Sequence, residues 1–148
     1  MKTNELESTP DASARSLLVV LAKGEEVVKL LTELARSQRL GTARVTAVGG
    51  FEKATLGYFD RERRAYTPIP VPEQAEVLSL VGDIAEGADG QPAVHLHAIL
   101  GRPDGSTRGG HLLEGHVWPT LEVVIDASPR RLRKRIDPDT GLALFESR

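Results

Sequence analysis

The chain has 148 residues, 40% hydrophobic and 27% charged, with a formal net charge of −2, which fits one globular domain with room for a core. It contains no cysteine, so disulfides, thiolate metal sites, iron–sulfur clusters and a cysteine nucleophile are excluded, and histidine and carboxylate are left as the strong metal ligands. The slightly acidic balance argues against a surface built throughout to grip phosphate, and no apolar run reaches the ~18–20 residues that span a bilayer.

Residues 1–14 are polar and aperiodic, lack the apolar stretch of a secretory signal, and are expected to be a flexible tail. Cytoplasmic localisation follows as the default, and residues 15–148 read as a single domain. Ser16–Ala22 is apolar throughout, as a buried strand is. Gly24-Glu25-Glu26 then opens a helix with acids in its first turn, where they oppose the positive end of the macrodipole. Val27, Leu30, Leu31, Leu34 and Ala35 have the i, i+3, i+4, i+7, i+8 spacing of one buried face, and the helix should end near Arg39, before Gly41.

Beyond Gly41 the period becomes two. Arg44–Val48 and Phe51–Phe59 read as strands separated by Gly49-Gly50, and Asp60-Arg61-Glu62-Arg63 as a charged turn. Pro68, Pro70 and Pro72 predict an extended, exposed connection. Glu76–Ile84 and Ala93–Leu100 are strands joined by a Gly87-Ala88-Asp89-Gly90 hairpin turn. Pro103-Asp104-Gly105-Ser106 is a further turn, and Leu121–Ile125 a buried strand. Ser128-Pro129 predicts a short helix with Ser as N-cap and Pro at its first position. Asp137-Pro138-Asp139-Thr140-Gly141 turns the chain into a last apolar segment, Leu142–Phe145. These elements make an α+β domain, a mainly antiparallel sheet with one principal helix packed on it.

The sharpest chemistry lies between positions 95 and 111. In a strand, side chains at i and i+2 share a face, so His95 and His97 point the same way. Gly109-Gly110 removes bulk just before His111, letting a third ring approach. Three imidazoles suit zinc, iron, nickel or copper and leave a coordination position open for water or a small molecule.

Several segments together carry a family resemblance. They are Lys23-Gly24-Glu25-Glu26, Ala54-Thr55-Leu56-Gly57-Tyr58-Phe59, Glu76-Val77-Leu78-Ser79-Leu80, His95-Leu96-His97, Gly109-Gly110-His111-Leu112-Leu113-Glu114-Gly115 and Glu122-Val123. In this order they resemble the PPC domain family (plants and prokaryotes conserved), the domain found in plant AT-hook nuclear proteins, here of the prokaryotic stand-alone type. The resemblance implies a compact α+β fold assembled as a homotrimer. It also implies a metal site with ligands at His95, His97 and His111, zinc being the first choice of divalent metal. A cupin is the rival for His-X-His, but that pattern places a Glu soon after the second histidine, where this chain has Ala98-Ile99-Leu100-Gly101.

The remaining candidates define alternative functions. Glu114, three residues past His111, is the candidate general base of a metal-dependent enzyme acting on a small molecule, set against a role in a salt bridge or subunit contact. His116 reads as a surface or interface residue. Glu76 and Glu122, inside apolar strands, are expected to be paired structurally. Arg130, Arg131, Arg133, Lys134 and Arg135 concentrate cations on the predicted last helix. They are candidate nucleic-acid contacts, set against a solvated face balanced by Asp126, Asp137 and Asp139. Leu100-Gly101-Arg102-Pro103-Asp104 shares Gly-Arg-Pro with an AT-hook but lacks its flanking basic residues, and reads as a turn. The leading reading is a metal-binding homotrimer acting as a binding or regulatory module, without an assigned reaction. The metal-dependent enzyme and the DNA-binding accessory protein are the alternatives.

Overall fold

The computed structural model describes residues 1–6 and 14–146. Ten elements follow in order: β1 (Lys2–Leu6), β2 (Arg15–Ala22), α1 (Val27–Ser37), β3 (Thr42–Asp60), β4 (Ala65–Val71), β5 (Ala75–Glu86), β6 (Pro92–Gly101), β7 (Thr107–Ala127), β8 (Lys134–Ile136) and β9 (Ala143–Phe145). Every named strand pairing is antiparallel. The main sheet runs β1-β2-β7-β6-β5-β3-β4, and an additional β7–β3 pairing closes β3, β5, β6 and β7 into a ring without a free edge. The α+β architecture expected from the periodicities is the one observed.

The helix forms where its apolar spacing demands. Val27, Leu31, Leu34 and Ala35 are buried against the sheet. Glu26 is its N-cap, so the acid stands before the first turn; its carboxylate accepts from Val28 N at 3.1 Å and Lys29 N at 2.6 Å. The same carboxylate accepts from Gly115 N at 3.0 Å, which ties the helix start to β7. The core fills the space between helix and sheet with Leu21, Phe51, Leu56, Leu80, Ile84, Leu96, Leu100 and Leu121, all at most 1% exposed. No helix is long and apolar enough to cross a membrane among the described residues.

Four local expectations are corrected. The two strands predicted around Gly49-Gly50 are one, β3, bulged at that point. Glycine is needed there because a Cβ on Gly49 or Gly50 would stand 2.3 Å from the carbonyl oxygen of Thr120 or Trp118 on β7. The proline-bearing segment is a true strand, β4, at the sheet edge, where missing N–H donors cost little. Lys2–Leu6 belongs to no loose tail but pairs with β2 from Lys2↔Val20 to Leu6↔Ser16; the rest of that predicted tail, 7–13, lies outside the described residues. No helix follows Ser128. Its backbone is claimed by tertiary bonds, Ser128 N to Thr42 O, Leu132 N to Thr42 Oγ1 and Glu86 N to Leu132 O, which outweigh the weak propensity of a short helix.

Candidate metal centre

β6 alternates strictly: Leu96, Ala98 and Leu100 enter the core, so His95, His97 and Ile99 stand on the opposite face. Register does the rest. His97 pairs with His111 of β7, and His111 in turn with Gly57 of β3, so the three rings meet on one face of the sheet. Their ligating nitrogens all lie within 4.8 Å of one another. His95 Nε2 and His97 Nε2 are 3.2 Å apart. The ring centroids of His111 lie 5.1 Å from His95 and 5.3 Å from His97.

Two of the rings have supports that could not be read from spacing. Asp83 pairs across strands with His95, and its Oδ2 lies 3.2 Å from His95 Nδ1, which leaves Nε2 facing the shared point. Behind Asp83 stands Lys134, 4% exposed, ion-paired to Asp83 Oδ1 and placed 4.7 Å from the Phe145 ring centroid. Burial works to raise the Asp83 pKa, but the hydrogen bonds from His95 and Lys134 and the charge of Lys134 outweigh it and hold the carboxyl below its ordinary value. Tyr66 stacks on His111 at 4.5 Å, its hydroxyl 3.4 Å from His111 Nδ1.

Burial, then the neighbouring histidine charges and Lys134, push His111 down to about 4. Burial, and then the charge of His95, also lower His97. Both rings are thus neutral at physiological pH, with lone pairs available to a metal. Three nitrogen donors with one ring oriented by a carboxylate fit a borderline divalent ion such as zinc. The rings open into a hollow of about 740 Å³ whose wall includes Tyr58, Tyr66, Val81, Ile99 and Leu142.

The other predicted residues lie elsewhere. Glu114 is exposed, accepts from His116 Nε2 at 2.6 Å, and faces a separate hollow beside α1 with Lys29 and Glu33. The structure does not bring it to the histidines. Glu76 and Glu122, expected to be paired inside apolar strands, are instead solvent-exposed on the outward side of their alternating strands, where water solvates the carboxylates. The basic run is dispersed rather than presented on one helical face. Arg131 and Arg133 both approach Glu86, Lys134 is buried against Asp83, and Arg135 pairs with Glu146. Arg102 lies in the β6–β7 hairpin with its Nε 2.6 Å from Glu73 Oε1, which accounts for Gly-Arg-Pro as a braced turn. Sequence reasoning missed Asp83 and Tyr66 and gave Lys134 to nucleic-acid contact; all three reach the site only through cross-strand register or packing between distant segments.

Residues 9–128 match the Plants and Prokaryotes Conserved (PCC) domain. A plant- and prokaryote-conserved protein of Pyrococcus horikoshii is 30% identical with a TM-score of 0.85, over 95% of this chain and 98% of that one. A metal-containing protein of Archaeoglobus fulgidus is 29% identical with a TM-score of 0.83, over 96% and 100%. A protein of Ralstonia eutropha JMP134 named as a candidate DNA-binding protein is 27% identical with a TM-score of 0.84, over 97% and 96%. The bifunctional protein GlmU of Synechococcus sp. (strain JA-3-3Ab) is 33% identical over 135 residues; this match takes in 89% of the chain but spans 20% of that protein's length. With the domain match covering most of the chain and the fold shared end to end with these structures, the protein belongs to the Plants and Prokaryotes Conserved domain family.

Proposed function

We propose that the protein is a metal-binding homotrimer that acts as a binding or regulatory module, with His95, His97 and His111 holding one divalent ion, zinc in the first instance. The observation that carries this reading is the meeting of three imidazoles from two strands with their nitrogens within 4.8 Å, beside an open hollow. The orientation of His95 by Asp83 supports it, because such a carboxylate sets the tautomer that a ligating ring needs. The metal-containing Archaeoglobus fulgidus relative adds to that support. A bound ion would supply a Lewis-acidic centre with room for a small ligand. Homotrimeric assembly rests on the family resemblance.

The remote position of Glu114 leaves an enzyme without its candidate base, and the ion-paired basic run leaves a DNA-binding surface with few uncommitted charges. Elemental analysis of untagged protein, wild type beside His97→Ala, with assembly mass measured on the same samples, tests the proposal. Near-stoichiometric metal in the wild type, lost in the variant at unchanged trimeric mass, is expected. A wild type that neither carries metal nor takes up added zinc overturns it.

A further inference from the structure

A second hollow, of about 280 Å³, lies at the opposite end of β5 and β6 from the charged hairpin Arg102 and is walled by Arg36, Arg39, Leu40, Glu86 and Arg131. Its three arginines come from two separate parts of the chain: Arg36 and Arg39 from the end of α1, on either side of its C-cap Gln38, and Arg131 from the segment before β8. Among the described residues Glu86 is the one carboxylate on the wall. It is engaged by Arg133, whose Nε lies 2.8 Å from Glu86 Oε1, and at longer range by Arg131, whose Nη1 lies 3.9 Å from Glu86 Oε2, so the wall still sets three guanidinium groups against one carboxylate that Arg133 already holds. The C-terminal carbonyl of Gln38 is taken by Arg15 Nη2 at 3.0 Å, not by any of the three.

Arg39 occupies this place against its backbone preference. It closes α1 with φ 53, the left-handed position after a helix where glycine is most at ease, while Leu40 N donates to Ala35 O at 2.9 Å. An arginine held in that conformation, beside two others and over a concave wall, points to use of its side chain. The stem of Arg131 passes over Gly41, whose bare Cα leaves the space: a Cβ there would stand 3.0 Å from Arg131 Cγ.

We propose that this hollow binds a small phosphorylated anion, with Arg36, Arg39 and Arg131 as the phosphate contacts. Guanidinium groups pair with phosphate and carboxylate oxygens alike, but three of them on one wall match the several charged oxygens of a phosphate or diphosphate better than the two of a single carboxylate. The volume is at the small end of the range that holds small ligands and is concave, unlike a face that tracks a duplex. The proposal is independent of the histidine centre.

Titration calorimetry of the full chain with inorganic pyrophosphate, at matched ionic strength against sodium chloride, tests it. Saturable binding of one anion per chain is expected, weakened at least tenfold by Arg39→Gly and by Arg131→Ala. Arg39→Gly relieves the left-handed backbone, so it should melt about 2–4 °C higher while binding less, which separates lost contact from lost fold. Arg64→Gly, at the other described non-glycine residue of positive φ (51), lies off this wall and should bind as the wild type does. Heat that vanishes at matched ionic strength, or equal affinity in Arg39→Gly, overturns the proposal. So does a short DNA duplex bound through the same arginines by a protein that ignores pyrophosphate.

Discussion

The imidazole of His111 lies against Tyr66 and faces two other rings, and that setting decides when it takes a proton. In the unfolded chain it protonates near the ordinary value of 6.5; in the folded protein burial and its charged neighbours delay this to about 4. Between those values the unfolded state binds more protons, so the metal-free protein loses stability as pH falls from 6.5 towards 4. The ceiling is ~3 kcal/mol, reduced because the ring still meets solvent. Urea midpoints near about pH 7 and about pH 4.5 check this: the wild type should lose more than His111→Gln. Asp83→Asn acts on the same site from behind. It removes the acceptor of His95 and the counter-charge of buried Lys134. Zinc affinity, read by competition with a chelator, should fall about 10–100-fold. An unchanged affinity would show that His95 needs no carboxylate to hold its orientation.

Two elements are locked together at the start of α1. Glu26 satisfies two helix N–H groups and the Gly115 N–H of β7, so its loss costs more than an ordinary cap. Glu26→Ala is expected to destabilise by about 1–2 kcal/mol, measured by urea unfolding, because one of the three orphaned donors is inside the structure. The β5–β6 ladder carries a comparable constraint next to the histidines. A Cβ on Gly82 would stand 2.0 Å from the backbone oxygen of His95 and 2.9 Å from Leu96 Cδ2, and the nearer obstacle is paired backbone that cannot swing aside as a side chain can. Gly82→Ala should therefore push β6 outward, lowering both thermal stability and zinc affinity, whereas Gly90→Ala meets nothing within 4 Å and disturbs only its own turn at φ 77. These contacts also show the limit of local reading. Periodicity placed α1 and most strands, but the second strand partner of β7 and the edge position of β4 depend on residues far apart in the chain.

At the scale of the whole molecule, charge distribution matters more than charge count. The run from Arg130 to Arg135 offers a candidate phosphate-binding patch, set in the sequence against a solvated face, and folding scatters it among Glu86, Asp83 and Glu146. DNA binding at physiological salt is expected to be no tighter than the ~10⁻⁴–10⁻⁶ M of non-specific contact. A sub-micromolar Kd with a steep salt slope, abolished by neutralising Arg130 and Arg135, would show that the stripe survives folding in use. The ring of β3, β5, β6 and β7 has no free edge, β4 covers one flank with prolines at Pro68 and Pro70, and β1 forms the other edge of the sheet. Tyr58, Val81 and Ile99 stand exposed around the histidine hollow, an apolar rim on the face of the sheet.

From the sequence alone came the fold class, the one amphipathic helix, the absence of thiol chemistry and the shared face of His95 and His97. Each follows from composition or from the 3.6- and 2-residue periods, which act over a few neighbouring residues. The approach of His111 was suggested by its glycines and settled by register, since a slip of one residue would have turned its ring into the core. Only the tertiary structure brought Asp83 and Lys134 behind His95, moved Glu114 to the far hollow, and replaced the predicted helix after Ser128 with an irregular segment that leads into β8. The physical reason is the same in each case. Cross-strand pairing and burial join residues tens of positions apart, and their hydrogen bonds and ion pairs outweigh the weak local preferences that are all a linear reading can see.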